Sequence, residues 1–206
     1  MRRIFYPLGM ATLIGFFAIL TAYSTPEFKE IDAWAADELY GLGWLDSLSV
    51  LGEDTVLFVV GMGMILYLWF HHRNYRAMLF VFLTVGAGKA LNVLLKEALM
   101  RGRPPVPQEL ESYSFPSEHA MGGLLYIFTA AYFMTIYMVS DIGKWLVWLA
   151  AVGLVMGIGL SRVAGGEHYL SDVLAGWCAG YTLFVAVAIW YEFREHRFEK
   201  LQKAPE

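Results

Sequence analysis

The feature that most constrains this chain is a series of long apolar stretches separated by short polar segments. A segment that crosses a membrane forms a helix because lipid offers no hydrogen-bond partner to its backbone groups. Such a helix needs roughly 20 mostly apolar residues to span about 30 Å of hydrocarbon. Hydrophobic residues make up 58% of the chain and charged residues only 17%, which is not the composition of a soluble domain. The sequence therefore predicts an all-α, six-transmembrane-helix integral membrane bundle that forms a single domain over residues 1–206. The predicted spans cover residues 4–23, 55–70, 77–95, 120–140, 145–161 and 173–191.

The composition also argues against a nucleic acid partner, a disulfide and a structural zinc site. The formal net charge of −4 provides no basic field, so no nucleic acid partner is expected. The single cysteine, Cys178, cannot form an internal disulfide, and the sequence has no Cys/His cluster with zinc spacing. We therefore expect the packing of apolar helices to hold the fold together.

The first apolar stretch and the loop after it each leave alternatives open. Arg2 and Arg3 precede the stretch as in a secretory signal peptide, but roughly 20 apolar residues exceed the usual h-region of about 7 to 15. The sequence therefore favours a retained first helix. Residues 24–54 mix apolar residues with acids, which is typical either of a helix lying in the membrane interface or of a loop packed on the outer helix ends.

The distribution of lysine and arginine predicts the orientation, because cytoplasmic loops are enriched in these residues. If the spans alternate, one side receives nine cations: Arg2, Arg3, Arg73, Arg76, Lys144, Arg194, Arg197, Lys200 and Lys203. The other side receives five: Lys29, Lys96, Arg101, Arg103 and Arg162. Both termini are therefore expected in the cytoplasm.

Most of the few outer cations lie near the only outer histidines. Lys96 and Arg103 are seven residues apart, so they would lie on one side of the third helix if it continues until Pro104 stops it. Two such cations also suit a purely anchoring role at the membrane surface.

A second polar segment immediately precedes the fourth span. Ser117 is a natural N-cap, and the free amides of a first helical turn form a ready anion site. The alternative is that Ser117 and Glu118 only cap the helix and that His119 is an interfacial residue.

The third segment contains Ser161, Arg162, His168 and Asp172. His168 and Asp172 have i, i+4 spacing, which on a helix lets the carboxylate hold one ring nitrogen while the other faces a substrate. A single His/Asp pair with this spacing is also common as a purely structural contact. All three segments fall on the same side of the six-span arrangement, and this coincidence predicts a shared anion site.

These motifs resemble those of the type 2 phosphatidate phosphatase superfamily, the membrane lipid phosphatases that share a phosphate pocket with the vanadium haloperoxidases. The family signature is K-x6-R-P, then P-S-G-H, then S-R-x5-H-x3-D. The matching residues here are Lys96, Arg103 and Pro104; Pro116, Ser117, Glu118 and His119; and Ser161, Arg162, His168 and Asp172. The one departure is Glu118, which replaces the family's glycine.

The resemblance implies a set of roles for these residues. His168 would be the nucleophile that forms a phosphohistidine, Asp172 would orient it, and His119 would protonate the leaving group and later activate water. The phosphate-binding set would be Lys96, Arg103, Ser117, Glu118 through its amide, and Arg162. No metal and no other cofactor are implied, because cations alone can stabilise the equatorial phosphate oxygens.

The implied function is that of a metal-independent lipid phosphatase of the cell membrane with an extracytoplasmic active site. Its partners would be the bilayer and a lipid phosphate, with undecaprenyl pyrophosphate, phosphatidylglycerophosphate and phosphatidate as candidates. An anion transporter or channel is an alternative, supported by Lys89 within the third span. A lipid-phosphate-binding protein with catalysis impaired by Glu118 is another.

Two acids near the motifs need a predicted orientation. A glutamate at the glycine position either points away from the pocket or places a carboxylate beside the phosphate. The retention of every other motif residue favours the outward orientation for Glu118. Glu167, directly before His168, is expected to be a solvated rim residue.

Overall fold

Helices form all the regular structure that the computed structural model assigns to residues 2–105 and 112–202, the part of the chain that it describes. Side chains are described for residues 6–105 and 112–194. The elements are α1 (Arg2–Ala22), α2 (Pro26–Leu39), α3 (Gly43–Asp46), a 3-10 helix (Ser47–Gly52), α4 (Asp54–Tyr67), a π-helical turn (Leu68–His72), α5 (Tyr75–Val81), a second π-helical turn (Phe82–Gly86), α6 (Ala87–Leu99), α7 (Glu118–Tyr137), α8 (Asp141–Ala164) and α9 (Leu170–Gln202).

Five of the described helices are long and apolar enough to cross a membrane. They cover Asp54–His72, Tyr75–Leu99, Glu118–Tyr137, Asp141–Ala164 and Leu170–Arg194. Among the described residues, counting the pair Tyr6–Ala22 and Pro26–Leu39, which is bent by 100°, as one span gives up to six. The predicted all-α membrane bundle is confirmed. Four of its spans are longer at both ends than predicted, whereas α1 ends at Ala22 and α7 at Tyr137, short of the predicted ends at residues 23 and 140. The cytoplasmic location of both termini stays a prediction, and the side chains of Arg2, Arg3, Arg197, Lys200 and Lys203 lie outside those described.

Residues 24–54 form the first outer loop, where "outer" denotes the side that is predicted to face away from the cytoplasm, and they combine the two structures that the sequence left open. Its first half is α2, which begins at Pro26, and the Thr25 side chain accepts a hydrogen bond from the Phe28 amide at 3.5 Å. One face of α2 buries Asp32 and Ala35 where the helix packs on α8 and α9. Trp34 remains 62% exposed. The segment is therefore helical and also caps the outer ends of the bundle.

Small residues bring the outer ends of α7 and α9 together. A Cβ atom on Gly176 would lie 2.6 Å from the Ser117 carbonyl oxygen, and one on Gly180 would lie 3.1 Å from the Met121 carbonyl oxygen. Only glycine permits so close an approach of backbone to backbone. The start of α7 is thereby held against the start of α9. An aromatic cluster fills the opposite half of the bundle: Phe80, Phe128, Tyr132, Phe133, Phe184 and Tyr191.

The third helix does not continue as far as Arg103, so the condition under which Lys96 and Arg103 would share one side of it is not met. The helix α6 ends at Leu99, and Met100 adopts a left-handed conformation with φ of 45°. The Met100 amide still donates to the Lys96 carbonyl at 2.9 Å, which closes the last turn. Arg103 therefore reaches the site from a non-helical segment, and it does not share a helix stripe with Lys96.

Candidate active site

Backbone hydrogen bonds join the three motif segments at the outer end of the bundle. The Ser117 amide donates to the Asp172 carbonyl at 3.0 Å, which ties the start of α7 to the start of α9. The Ser114 amide donates to the Arg101 carbonyl at 2.8 Å, which ties the segment before α7 to the one after α6. The predicted site residues are therefore brought together by main-chain contacts as well as by their side chains.

His168 lies in the short connection between α8 and α9 and is only 3% exposed. Because α9 begins at Leu170, His168 and Asp172 do not share a helix, contrary to the geometry that the i, i+4 spacing predicts. The two residues still meet across the helix start, where His168 Nδ1 lies 3.5 Å from Asp172 Oδ2.

The hydrogen bond from Arg103 defines the tautomer of His168. Arg103 Nη1 lies 3.2 Å from His168 Nε2. A guanidinium group can only donate, so Nε2 must accept and the ring hydrogen must be on Nδ1, which faces Asp172. Arg103 is itself held by the Glu167 carbonyl at 2.9 Å and by Ser112 at 2.8 Å. The ring is thus arranged with its unprotonated nitrogen directed toward the cations.

Burial lowers the pKa of His168 to about 4, because the low-dielectric surroundings disfavour the imidazolium form. The hydrogen bond and charge of Asp172 act in the opposite direction, while Arg103 and Lys96 add to the lowering. Burial also lowers the pKa of Arg103, and the nearby Glu167 carboxylate opposes that effect. At neutral pH, His168 is therefore neutral, and the lone pair of Nε2 accepts the hydrogen bond from Arg103.

Asp172 is held by partners that the sequence analysis missed. Its Oδ1 accepts from Arg101 Nη1 at 2.6 Å, and its Oδ2 accepts from the Tyr169 amide at 2.9 Å and from the Ser114 hydroxyl. The Ser114 hydroxyl also lies 3.5 Å from His168 Nδ1. Asp172 is fully buried, so these bonds fix the carboxylate that faces the histidine.

The sequence contains no specific pattern that singles out two of these residues, Arg101 and Ser114. Arg101 occupies a variable position of the K-x6-R-P motif, and Ser114 lies three residues before the second motif's serine. A third cation within the segment between Lys96 and Arg103 was the one available indication. Asp32, which contacts Arg101, is one of many acids in the first outer loop and had no distinguishing pattern.

The remaining predicted phosphate-binding cations are paired with carboxylates. Lys96 is 5% exposed and lies 3.4 Å from Glu118 Oε2, and Arg162 is 7% exposed and donates to the Glu167 carboxylate. Arg162 Nε is buried and has no hydrogen-bond partner among the described residues. A buried donor of this kind is suited to an anion that is not part of the chain.

The predicted outward orientation of Glu118 is wrong. Its carboxylate is turned toward Lys96 and forms an ion pair with Lys89, whose ammonium also lies 2.7 Å from both oxygens of Asp54. The attraction of two lysines exceeds that of a helix N-terminus on a single carboxylate. Glu167 likewise faces Arg162 and is not a free rim residue. Both acids therefore neutralise cations of the candidate site.

His119 lies on the first turn of α7 beside the end of the 3-10 helix. A Cβ atom on Gly52 would lie 2.6 Å from its ring, so the glycine there lets the first outer loop cover the imidazole. The ring is close enough to Arg162 and His168 for their charges to act on it. The Ser117 hydroxyl accepts from the Ala120 amide at 3.5 Å and caps the same turn. Within residues 2–105 and 112–202, no group of three or more His, Cys, Asp or Glu side chains could hold a metal ion.

Known proteins share both the sequence pattern and the fold. The sequence model of the PAP2 superfamily matches residues 77–196. Phosphatidylglycerophosphatase B of Bacillus subtilis (strain 168) is 31% identical over 158 residues, which cover 75% of this chain and 74% of that protein. The crystal structure of a transmembrane PAP2 type phosphatidylglycerolphosphate phosphatase from Bacillus subtilis superposes with a TM-score of 0.76 at 26% identity, covering 89% of this chain and 96% of that one. The resemblance read from the three motifs is thus confirmed, and the chain belongs to the PAP2 superfamily.

Proposed function

We propose that this protein hydrolyses the phosphomonoester of a phosphatidylglycerophosphate-like lipid on the outer face of the membrane through a phosphohistidine on His168. The broader activity, that of a membrane hydrolase acting on lipid phosphates, follows from its superfamily and from the two relatives. The specific substrate, the covalent intermediate and the side of the membrane are the proposal.

The observation that carries the proposal is the contact between Arg103 and His168 Nε2. It supports a neutral histidine whose reactive nitrogen faces a group of buried cations, with Asp172 behind the opposite nitrogen. Phosphoryl transfer depends on positioning and on positive charge around the equatorial oxygens, and this arrangement supplies both.

In the first step, a phosphate oxygen takes over the Arg103 N–H, and Nε2 attacks phosphorus. The bond between phosphorus and the lipid oxygen breaks as His119 donates a proton to the departing alkoxide. The imidazole becomes positively charged, and the Nδ1–H group directed at Asp172 stabilises that charge. Lys96 and Arg162 are placed to bind the oxygens of the transferring group.

In the second step, water attacks the phosphohistidine from the side that the lipid has left. Neutral His119 now accepts the water proton, the bond between phosphorus and Nε2 breaks, and its electron pair returns to the ring. Inorganic phosphate leaves and His168 is again neutral. No step needs a metal ion.

Among the three candidate substrates we favour phosphatidylglycerophosphate, because both relatives are named for it. The transporter alternative loses its main support, since Lys89 lies in ion pairs with Asp54 and Glu118. An intramembrane charge with two carboxylate partners needs no transported anion to explain it.

The deciding experiment is phosphate release by the purified protein in detergent. We expect kcat/KM for short-chain phosphatidylglycerophosphate to exceed that for phosphatidate and undecaprenyl pyrophosphate, and turnover to persist with a chelator. A reversed preference would overturn the substrate, and activity restored only by magnesium would overturn the metal-free mechanism. A protein that binds all three lipids but releases no phosphate would instead be a lipid-phosphate-binding protein.

The outer location has its own test. Single cysteines introduced at exposed Trp44 and Tyr75, in a Cys178→Ser background, lie at opposite ends of the bundle. We expect a membrane-impermeant maleimide to label position 44 in intact cells and position 75 only after lysis. The reverse pattern would place the site in the cytoplasm.

A further inference from the structure

A buried ion cluster lies behind the candidate nucleophile and is distinct from the phosphate-binding cations. Arg101 bridges two carboxylates: Nη1 lies 2.6 Å from Asp172 Oδ1, and Nη2 lies 3.0 Å from Asp32 Oδ2. Asp32 is 4% exposed and Asp172 is fully buried. Ions so deeply buried are costly unless each is paired and hydrogen-bonded.

Aromatic rings and hydrogen bonds hold the cluster from several sides. The Arg101 guanidinium lies between two aromatic rings, 4.5 Å from the Tyr23 centroid and 4.3 Å from the Tyr169 centroid. Asp32 accepts from the Ser171 amide at 2.8 Å and from the Ser171 hydroxyl at 2.6 Å. Arg101 Nη1 also donates to the Ser171 hydroxyl at 2.7 Å. These contacts hold the guanidinium between the two carboxylates and the two rings.

The second carboxylate, that of Asp32, determines the net charge of the cluster. Paired with Asp172 alone, Arg101 would cancel the charge that must stabilise a positively charged His168. Asp32 supplies a second counterion, so the three groups together keep one net negative charge. Arg101 can then orient Asp172 without removing its electrostatic effect on the histidine.

We propose that Arg101 and Asp32 are positioning residues that hold Asp172 in place while preserving its charge for His168. The inference rests on the proposed function, in which His168 is the nucleophile. Asp32 belongs to α2, outside the region that matches the superfamily model, so the amphipathic outer helix contributes a residue to the site. Neither residue touches the reacting atoms.

The test separates charge from shape by substituting Asp32→Asn, which keeps the side-chain volume. The charged and titratable groups around His168, besides Asp32, are Lys96, Arg101, Arg103, His119, Arg162, Glu167, Tyr169 and Asp172. All of these are unchanged in the variant. We expect kcat to fall about 10- to 100-fold, with KM within about threefold of the wild type. Loss of a negative charge should also lower the pKa of His168 by about 0.5 unit or more.

A double variant makes the pH readout specific. In Asp32→Asn/Arg101→Gln, one carboxylate again remains without a cation, so the pKa of His168 should return toward its wild-type value while kcat stays low. Exchange of the imidazole Cε1 hydrogen, followed by mass spectrometry from pH 3 to 7, measures this pKa without turnover. Asp37→Asn, an exposed acid on the same helix, is the matched control and should change neither quantity.

The outcomes keep the two proposals apart. An Asp32→Asn protein whose His168 titrates as in the wild type would overturn the charge role, as would a double variant that fails to restore the pKa. Activity lost only in proportion to unfolded protein would show a structural role instead. If the wild type releases no phosphate from any lipid phosphate, the proposed function fails, and the exchange measurement still decides the arrangement of charge.

Discussion

The half of the site around His168 and the half around Lys96 and Arg162 pair their charges in different ways. In the first half, Asp172 is fully buried and its bonds come from residues that do not face the phosphate position. In the second half, Lys96 and Arg162 are bound by Glu118 and Glu167, whose side chains are 22% and 26% exposed.

We call the half around His168 preorganised, because its ion pairs do not involve the phosphate position. We call the half around Lys96 and Arg162 exchangeable, because substrate would take the place of its carboxylates. The other donors to Asp172, which are Arg101, Ser114 and the Tyr169 amide, bind no phosphate in the proposed mechanism, so we expect them to remain in place when a substrate binds. In the proposed mechanism, phosphate uses the donors of Lys96 and Arg162 that the Glu118 and Glu167 carboxylates occupy, so we expect substrate to replace these carboxylates. Substitutions in the first half should therefore change kcat, whereas those in the second half should change KM.

The largest expected effect is that of His168→Ala. Without Nε2 no covalent intermediate can form, so kcat should fall by at least about 10⁴-fold. His119→Ala should lose about 10²- to 10⁴-fold on a lipid substrate, but much less on p-nitrophenyl phosphate, whose leaving group needs no proton. Phosphate-release kinetics measure both losses. The phosphoenzyme is detected with ³²P-labelled substrate after an SDS quench, on gels run at alkaline pH, because phosphohistidine is stable in base and hydrolyses in acid. A phosphoenzyme trapped on the His168→Ala protein would contradict the assignment.

The pH profile should reflect the burial of His168. Burial lowers its pKa to about 4, so the neutral nucleophile persists above that pH and is lost below it. The free-enzyme acid limb of kcat/KM is therefore expected near pH 4, with about a tenfold loss per unit below it. Substrate ionisation near pH 6 is measured separately by ³¹P NMR and subtracted. An enzyme limb at pH 6 to 7 would mean that the histidine is solvated.

Sequence patterns predicted the parts of this molecule that depend on local composition or on fixed spacing. Long apolar runs predicted the membrane helices, and motif spacing selected the histidines and cations that the structure brings together. The direction of Glu118 depends on Lys89, which belongs to another helix. The role of Asp32 depends on a bend of 100° that places α2 over the outer end of the bundle. Such contacts between distant segments leave no local pattern in one sequence.

In the exchangeable half, Glu118→Gly should act mainly on KM. It removes the carboxylate that pairs with Lys96 and would face a bound phosphate, so KM should fall up to about tenfold with kcat little changed. Glu118→Gln serves as the control for size. Equal KM values in the wild type and both variants would show that the Glu118 carboxylate does not oppose substrate binding.

The smallest effect, and the one that best tests exchange, is that of Lys89→Met. Lys89 neutralises Glu118 from the side away from Lys96, so without it the carboxylate should compete more strongly and KM should rise about threefold. In a Glu118→Gly background, Lys89 still pairs with Asp54 but no longer restrains a carboxylate beside Lys96, so its loss should hardly matter. This coupling in a double-mutant cycle distinguishes restraint from general attraction, because a lysine that merely attracted phosphate would have the same effect in both backgrounds. Lys144→Met, which breaks only a 3.1 Å pair with Asp141 at the opposite end of the bundle, is the matched control.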